Sequence, residues 1–234
     1  MYSNDNRAYP SRSGRLMGQT PAPVEFRTGD GITLRGVRWG EAGDWLIMVH
    51  DCDGESDLDS WRPLIPALGN GEWSILAIDL RGHGASEGEW TGSSVASDLS
   101  AAIGFARDHG AQWIALMAAG HAAVATLKLA SEMTLDALVM LSPSVTGEEA
   151  PGTLRGKGEA KLFAVGGKNL ELQRGVAQLR NQSIGWAMLV TAPAEAQGTG
   201  LLSGEHASQV RERIVAFLTE QRFLAKVRGL PAAR

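Results

Sequence analysis

Short apolar runs alternate with segments of helical periodicity from residue 24 onward. Two short strands, at 24–27 and 32–39, flank the turn signal Gly29-Asp30-Gly31 and predict an opening hairpin. After the hairpin, strands are predicted at 45–50, 73–80, 113–119, 136–141, 161–165 and 186–191, and helices at 60–68, 94–108, 121–129, 170–179 and 207–221. This order predicts an α/β fold with a mostly parallel eight-stranded sheet and helices on both faces.

Composition separates the chain into one predicted domain and two ends. Residues 1–23 are rich in Ser, Asn, Arg, Gly and Pro and lack periodicity, which predicts a flexible tail, with a docking arm as the other interpretation. Residues 24–221 form the predicted domain. Residues 222–234 are predicted to be a basic C-terminal tail, either solvated or docked on an acidic partner.

Bulk composition narrows the class of protein. Hydrophobic residues make up 44% of the 234 residues and charged residues 21%, as in ordinary globular proteins. The net charge of −4, without a stripe of Lys or Arg, argues against a nucleic-acid partner. No apolar run approaches the roughly 20 residues that span a membrane, and the single cysteine, Cys52, excludes an internal disulfide. We expect a cytoplasmic protein with no cofactor.

The stretch from residue 76 to residue 86 contains Asp79-x-Arg81-Gly82-x-Gly84-x-Ser86. It resembles the α/β-hydrolase family, whose members carry such a motif after the fourth strand. The order of predicted elements resembles the same family over residues 24–221. The resemblance implies an α/β-hydrolase fold and, as the usual chemistry, hydrolysis of esters, amides and related bonds. The 19 residues at 142–160 leave no room for a helical cap domain.

In this family the nucleophile lies in Gly-x-Ser-x-Gly, on the sharp turn between the fifth strand and the next helix. The corresponding turn here is Ala118-Ala119-Gly120-His121-Ala122. The resemblance places Gly120 at the nucleophile position and alanines at both flanking glycine positions. Because glycine has no attacking side chain, we expect no serine-type acyl-enzyme at residue 120.

A literal Gly-x-Ser-x-Gly occurs at residues 84–88. It follows the fourth predicted strand and continues into a polar loop, whereas the catalytic motif leads directly from a strand into a helix. Ser86 is therefore interpreted as a residue that ties down its loop through a hydrogen bond.

The resemblance also assigns the base and acid positions. His206, just before the last predicted helix, holds the base position, either as a retained general base or as a relic. The acid position after the seventh strand holds Asn169; in the best-studied triad, an amide at this position costs on the order of 10⁴ in rate. Glu171, or Glu148 and Glu149 after the sixth strand, are alternative acids.

Residues 50–54 correspond to the oxyanion loop of the family. His50 fits the family's His-Gly-x-x-Gly pattern, whereas Asp51 replaces a glycine. Carboxylates at Asp51 and Asp53 would oppose developing negative charge if they face the site. The acidic residues here match no EF-hand spacing, so a solvated loop is favoured over a metal site. Acidic neighbours also disfavour a reactive thiolate at Cys52.

Two functional hypotheses follow. The first is a pseudoenzyme, acting as an interaction subunit or a small-ligand-binding subunit. The alternative is a hydrolase of small ester or acyl substrates that uses a rewired nucleophile or a water activated by His206 in the space left at Gly120. In the second case the backbone N–H of His121 would help to stabilise the oxyanion. The possible partners are a protein or a small molecule.

Overall fold

One sheet of eight strands organises the structure, a computed structural model that describes residues 20–52, 56–69, 72–91, 93–144 and 155–229. The strands are β1 (Ala22–Arg27), β2 (Thr33–Trp39), β3 (Asp44–Val49), β4 (Ser74–Ile78), β5 (Trp113–Ala119), β6 (Ala137–Leu141), β7 (Ala160–Gly166) and β8 (Ala187–Ala192). The α-helices of this part of the chain are α1 (Val95–Asp108), α2 (Gly120–Glu132), α3 (Leu170–Gln182) and α4 (Ala207–Arg228).

The strand order across the sheet is β1-β2-β4-β3-β5-β6-β7-β8. β1 and β2 form an antiparallel hairpin and β2 runs antiparallel to β4, whereas all other neighbouring strands are parallel. The predicted fold class, a mostly parallel eight-stranded sheet with helices on both faces, is confirmed. Because β3, β5, β6 and β7 run in the same direction, the loops at their carboxyl ends meet at one edge of the sheet.

Two apolar cores lie on opposite faces of this sheet. Successive residues of a strand point to opposite faces, so Met48 joins the core packed by α4, whereas Ile47 joins the core packed by α1, α2 and α3. The central strands are buried on both faces, which explains their continuous apolar runs. No helix within the described ranges is both long enough and apolar enough to cross a membrane.

The helix predicted at 60–68 is wrong. The structure has two short 3₁₀ helices instead, Leu58–Trp61 and Ile65–Leu68. Pro63 and Pro66 account for the difference, because proline lacks the N–H for the i−4 bond and its ring clashes with the preceding turn.

The last helix continues past its predicted end at residue 221 and finishes at Arg228, where Gly229 adopts a left-handed conformation. Residues 222–228, predicted to be tail, are therefore helical. Arg222 explains the extension, because its guanidinium binds Asp44 at 2.6 Å and Glu72 at 2.7 Å. The predicted N-terminal tail lies outside the described residues as far as residue 19.

The motif at residues 79–86 is a structural tie. Ser86 accepts a hydrogen bond from the Arg35 N–H (2.8 Å) and donates one to the Asp79 carbonyl (2.7 Å), which confirms its predicted role. The Asp79 carboxylate accepts from the N–H groups of Leu58 and Ala85, both at 2.9 Å. These bonds join β2, the first 3₁₀ helix and the loop after β4.

Lys161, the second residue of β7, is fully buried. Its ammonium contacts the Glu159 carboxylate at 3.0 Å and donates to the carbonyls of Glu159 (2.8 Å) and Ile184 (2.7 Å). Burial lowers the pKa of Lys161, and the neighbouring Glu159 carboxylate opposes that shift. The ammonium therefore holds together the segments that enter β7 and β8.

Replacing Lys161 should be costly, because the buried Glu159 carboxylate would lose its counter-charge and the carbonyls of Glu159 and Ile184 would lose their donor. We expect Lys161→Met to lower the free energy of unfolding by about 3–5 kcal/mol, measured by urea denaturation. Lys168→Met removes an exposed ion pair with Glu195 and should cost less than about 1 kcal/mol. Equal effects of the two substitutions would contradict the assigned role of Lys161.

Candidate active-site turn

β5 leads directly into α2 through a sharp turn. Ala119 has an extended backbone (φ −118°, ψ 153°), and Gly120, the first residue of α2, has φ +52°. This left-handed conformation is costly for residues with a Cβ, so glycine suits the position. Gly120 therefore forms the apex of a strand–turn–helix at the carboxyl edge of the sheet.

The Asp51 carboxylate lies directly over this apex. A Cβ added to Gly120 would overlap the Asp51 carboxylate group. The side chain of Asp51 is 26% exposed, so the carboxylate lies at the protein surface as well as against the turn. The space in which a nucleophilic side chain at residue 120 would begin is thus filled by the side chain of another residue.

Asp51 also binds the amino end of α2. Its Oδ1 accepts a hydrogen bond from the His121 backbone N–H at 3.1 Å and lies 4.0 Å from His121 Nδ1. The first N–H groups of a helix have no intrahelical partner, and the helix dipole favours a negative group there. The carboxylate is therefore stabilised in place by the helix that it caps.

The His50 imidazole forms a hydrogen bond with the backbone of Asp51. The fully buried imidazole contacts the Asp51 carbonyl through Nδ1 at 2.6 Å, and its Nε2 lies 3.0 Å from the Leu80 N–H. Because the Leu80 N–H can only donate, Nε2 accepts and Nδ1 carries the proton that binds Asp51. Burial lowers the pKa of His50 to about 4, which keeps this imidazole neutral.

The next residues of the loop are held as well. The Cys52 carbonyl lies 3.2 Å from Nε2 of His83, whose ring packs 5.0 Å from that of His50. The Cys52 side chain is buried in the core on the α1 side of the sheet. Asp53 and Gly54 lie outside the described residues.

A second polar group, the amide of Gln197, lies at the ends of β6 and β7. Gln197 Oε1 accepts from Ser142 Oγ at 2.7 Å and from the Gly166 N–H at 3.1 Å. Ser142 follows β6 and has φ +49°. It is the one residue other than glycine with a positive φ in the described ranges. Such strain is found where the surrounding structure over-determines a residue. The Ser144 N–H in turn donates to the Gly120 carbonyl at 3.3 Å.

Solved structures with a similar architecture include hydrolases. An esterase from Pyrococcus furiosus is 16% identical, with a TM-score of 0.71 over 88% of this chain and 92% of its own. A dienelactone hydrolase from Anabaena variabilis is 17% identical (TM-score 0.65, 86% and 98% covered), and an α/β serine hydrolase homologue from Coxiella burnetii is 18% identical (TM-score 0.68, 84% and 97% covered). The chain has the α/β-hydrolase fold.

Sequence similarity reaches less far. No protein-family model matches the chain. The dihydrolipoyllysine-residue acetyltransferase component of the acetoin cleaving system of Cupriavidus necator is 32% identical over 75 residues, which are 32% of this chain. The match covers 19% of that protein's length. The fold is therefore established by the structure rather than by a full-length relative.

The predicted acid and base positions of this α/β-hydrolase-fold protein lie at two helix starts. Asn169 is exposed and caps α3, with Oδ1 accepting from the Leu172 N–H at 3.1 Å. His206 is half-buried and precedes α4, and its imidazole makes no hydrogen bond or ion pair with any residue that the structure describes. Glu171 is exposed in the first turn of α3. Glu148 and Glu149 fall outside the described ranges.

Sequence reasoning singled out His50, Asp51, Cys52 and His121 as residues of an oxyanion loop. The structure brings the Asp51 carboxylate to Gly120 and to the His121 N–H, whereas His50 binds the Asp51 carbonyl and the Cys52 side chain is buried in the core. Sequence reasoning missed Ser142 and Gln197. Ser142 could have been found as a polar residue directly after a buried strand, at the edge where parallel strands end. Gln197 had no such signal, because it lies in an irregular segment between β8 and the 3₁₀ helix Gly198–Leu202.

The depressed pKa of His50 predicts a specific acid sensitivity. In the unfolded chain this imidazole takes up a proton near pH 6.5, whereas in the folded protein it resists protonation until about pH 4. Its contribution to stability is thus complete above pH 6.5 and is lost as the pH falls towards 4, a decrease of about 3 kcal/mol.

Urea denaturation between pH 7 and pH 4 measures this loss. His50→Gln keeps a donor and an acceptor but does not titrate, so its stability should fall less steeply with acid than that of the wild type. An NMR titration of His50 with a midpoint near 6.5 would contradict the assignment.

Proposed function

We propose that this protein is a pseudoenzyme with an α/β-hydrolase fold, acting as an interaction subunit or a small-ligand-binding subunit. The observation that carries the proposal is the Asp51 carboxylate, which fills the space above Gly120 where the nucleophile of an active hydrolase would begin. A glycine alone could leave room for a water molecule. A glycine covered by a carboxylate leaves no attacking side chain at residue 120 and no such space.

Electrostatics support the same proposal. Acyl transfer needs N–H groups aimed at an oxygen that becomes negative in the transition state. In this fold one of those groups is the N–H of the residue after the nucleophile, and that N–H, of His121, already binds Asp51. Two like charges about 4 Å apart repel by about 4 kcal/mol in a partly screened site. An oxyanion beside Asp51 would therefore be destabilised.

The positions of the remaining residues fit this interpretation. Asn169 caps a helix and is exposed, and no hydrogen bond joins it to His206 within the described part of the chain. A carboxylate that orients the base histidine is what keeps that histidine in its productive tautomer. We therefore infer that the carboxyl edge of the sheet is maintained for binding.

The alternative is a hydrolase of small ester or acyl substrates with a rewired nucleophile. One observation favours it: the Asp51 carboxylate lies at the apex where chemistry occurs in this fold and is 26% exposed. In this version the carboxylate attacks the acyl carbon and expels the alcohol, and water then hydrolyses the resulting anhydride. Otherwise the carboxylate accepts a proton from a water that attacks the acyl carbon and expels the alcohol. His206 is the other candidate base for that water.

The proposal predicts how the turn responds to a restored serine. Gly120→Ser should destabilise the protein by about 1–3 kcal/mol, because the new side chain overlaps Asp51 and φ is positive. Adding Asp51→Gly should recover part of this loss, measured by urea denaturation. The matched control is Gly104→Ser in α1, where an added Cβ meets no atom within 4 Å. A Gly120→Ser variant as stable as Gly104→Ser would contradict the position of Asp51.

Activity assays separate the two functions. The pseudoenzyme predicts that the wild type is not labelled by fluorophosphonate probes and does not hydrolyse aryl esters above the rate of the buffer. The alternative predicts slow turnover that Asp51→Asn or His206→Ala abolishes and Ser86→Ala leaves unchanged. Turnover lost in Asp51→Asn would overturn the pseudoenzyme and identify Asp51 as a catalytic residue.

A further inference from the structure

The two edges of the sheet differ in how they are protected. The β1 edge carries Pro23, Glu25 and Arg27, and proline and charged side chains are the usual means of preventing strand pairing at an edge. The β8 edge, Ala187–Ala192, has the sequence Ala-Met-Leu-Val-Thr-Ala, with no charge and no proline. An apolar, unblocked edge strand is a template for pairing with another chain.

The hydrogen bonds of β8 define which backbone groups face outward. The Trp186 carbonyl accepts from the Lys161 N–H at 2.9 Å, and the Ala192 carbonyl accepts from the Gly167 N–H at 2.7 Å. In a parallel ladder every second residue turns its N–H and C=O towards its neighbour. The backbone N–H and C=O groups of the even-numbered residues of β8 therefore point towards β7. Those of Ala187, Leu189 and Thr191 point outward, away from β7.

We propose that β8 pairs antiparallel with β8 of a second copy of this chain, about a two-fold axis at Leu189. The three outward-facing residues are evenly spaced around Leu189. A two-fold axis there places Leu189 opposite the partner's Leu189 and Ala187 opposite the partner's Thr191. Each of these residues then donates its N–H to the opposite residue and accepts a hydrogen bond from it at its own C=O, which gives about six backbone hydrogen bonds.

Side chains fit the same register. On the α4 face, Trp186 lies opposite the partner's Ala192 and Met188 opposite the partner's Val190, so large side chains meet smaller ones. The Trp186 ring stacks on Phe217 at 5.9 Å but is 52% exposed, and Ile184 nearby is 49% exposed. Exposed apolar groups of this size mark interaction surfaces. The partner's strand would cover the open side of the indole.

Charge and symmetry favour a second copy over an unrelated strand. The self-complementary pattern of β8 is what a two-fold interface requires, because the same patch contacts itself. α3 runs antiparallel to β8 and has Glu171 in its first turn and Arg180 in its last turn. In the proposed pair, the amino end of α3 lies next to the carboxyl end of the partner's α3. Opposite charges and antiparallel helix dipoles then face each other.

Light scattering and sedimentation of the full chain test the pairing. We expect a particle of twice the chain mass of 24.8 kDa. Thr191→Lys places a charge on the exposed edge and should return the protein to one chain mass, whereas Thr191→Val and the opposite-edge control Pro23→Lys should remain dimeric. A monomeric wild type, or a dimer insensitive to Thr191→Lys, would overturn the proposal.

Disulfide crosslinking tests the register. In the background Cys52→Ser, Leu189→Cys should form an intermolecular disulfide under mild oxidation, since a directly opposed pair has its Cα atoms about 5.5 Å apart. Ala187→Cys alone should not crosslink, because the two copies of residue 187 would lie roughly 14 Å apart, but it should crosslink when mixed with Thr191→Cys. Crosslinking of Ala187→Cys alone, or none in Leu189→Cys, contradicts this register. These readouts are independent of the pseudoenzyme proposal.

Discussion

The function that we propose depends on the contact between the Asp51 carboxylate and the start of α2. The carboxylate covers Gly120 and accepts a hydrogen bond from the His121 N–H. In the proposed pseudoenzyme, this one side chain takes both the space of a nucleophile and a donor of the oxyanion hole. The helix dipole stabilises the carboxylate there. The amino end of α2, which in a catalytic turn stabilises transient negative charge, here binds the side chain of Asp51.

Other polar contacts position the loop of Asp51 and the strand ends beside it. The neutral, buried His50 binds the Asp51 carbonyl, and the Leu80 N–H fixes which imidazole nitrogen carries the proton. Gln197 and Ser142 connect the ends of β6 and β7 beside the same turn. The motif at residues 79–86 contributes structure rather than chemistry, because its carboxylate and hydroxyl are occupied by backbone groups.

Sequence reasoning reached the fold because strand and helix periodicities are local properties. The predicted strands correspond to the observed ones to within a few residues, and the position of Gly120 between β5 and α2 follows from that order. One error was local in origin, because Pro63 and Pro66 break the predicted helix at 60–68. The other was tertiary, because Arg222, in the extension of α4 beyond residue 221, pairs with Asp44 and Glu72, which are distant in the sequence.

The sequence by itself determined that residue 120, at the turn after the fifth strand, has no side chain, since that depends only on which residue stands there. It also identified Asp51 as an acidic residue in the oxyanion loop. Only the tertiary structure decided that this carboxylate lies on Gly120. The two residues are far apart in the chain and meet because β3 and β5 are neighbours in the sheet, an adjacency set by the crossover and the packing of both faces.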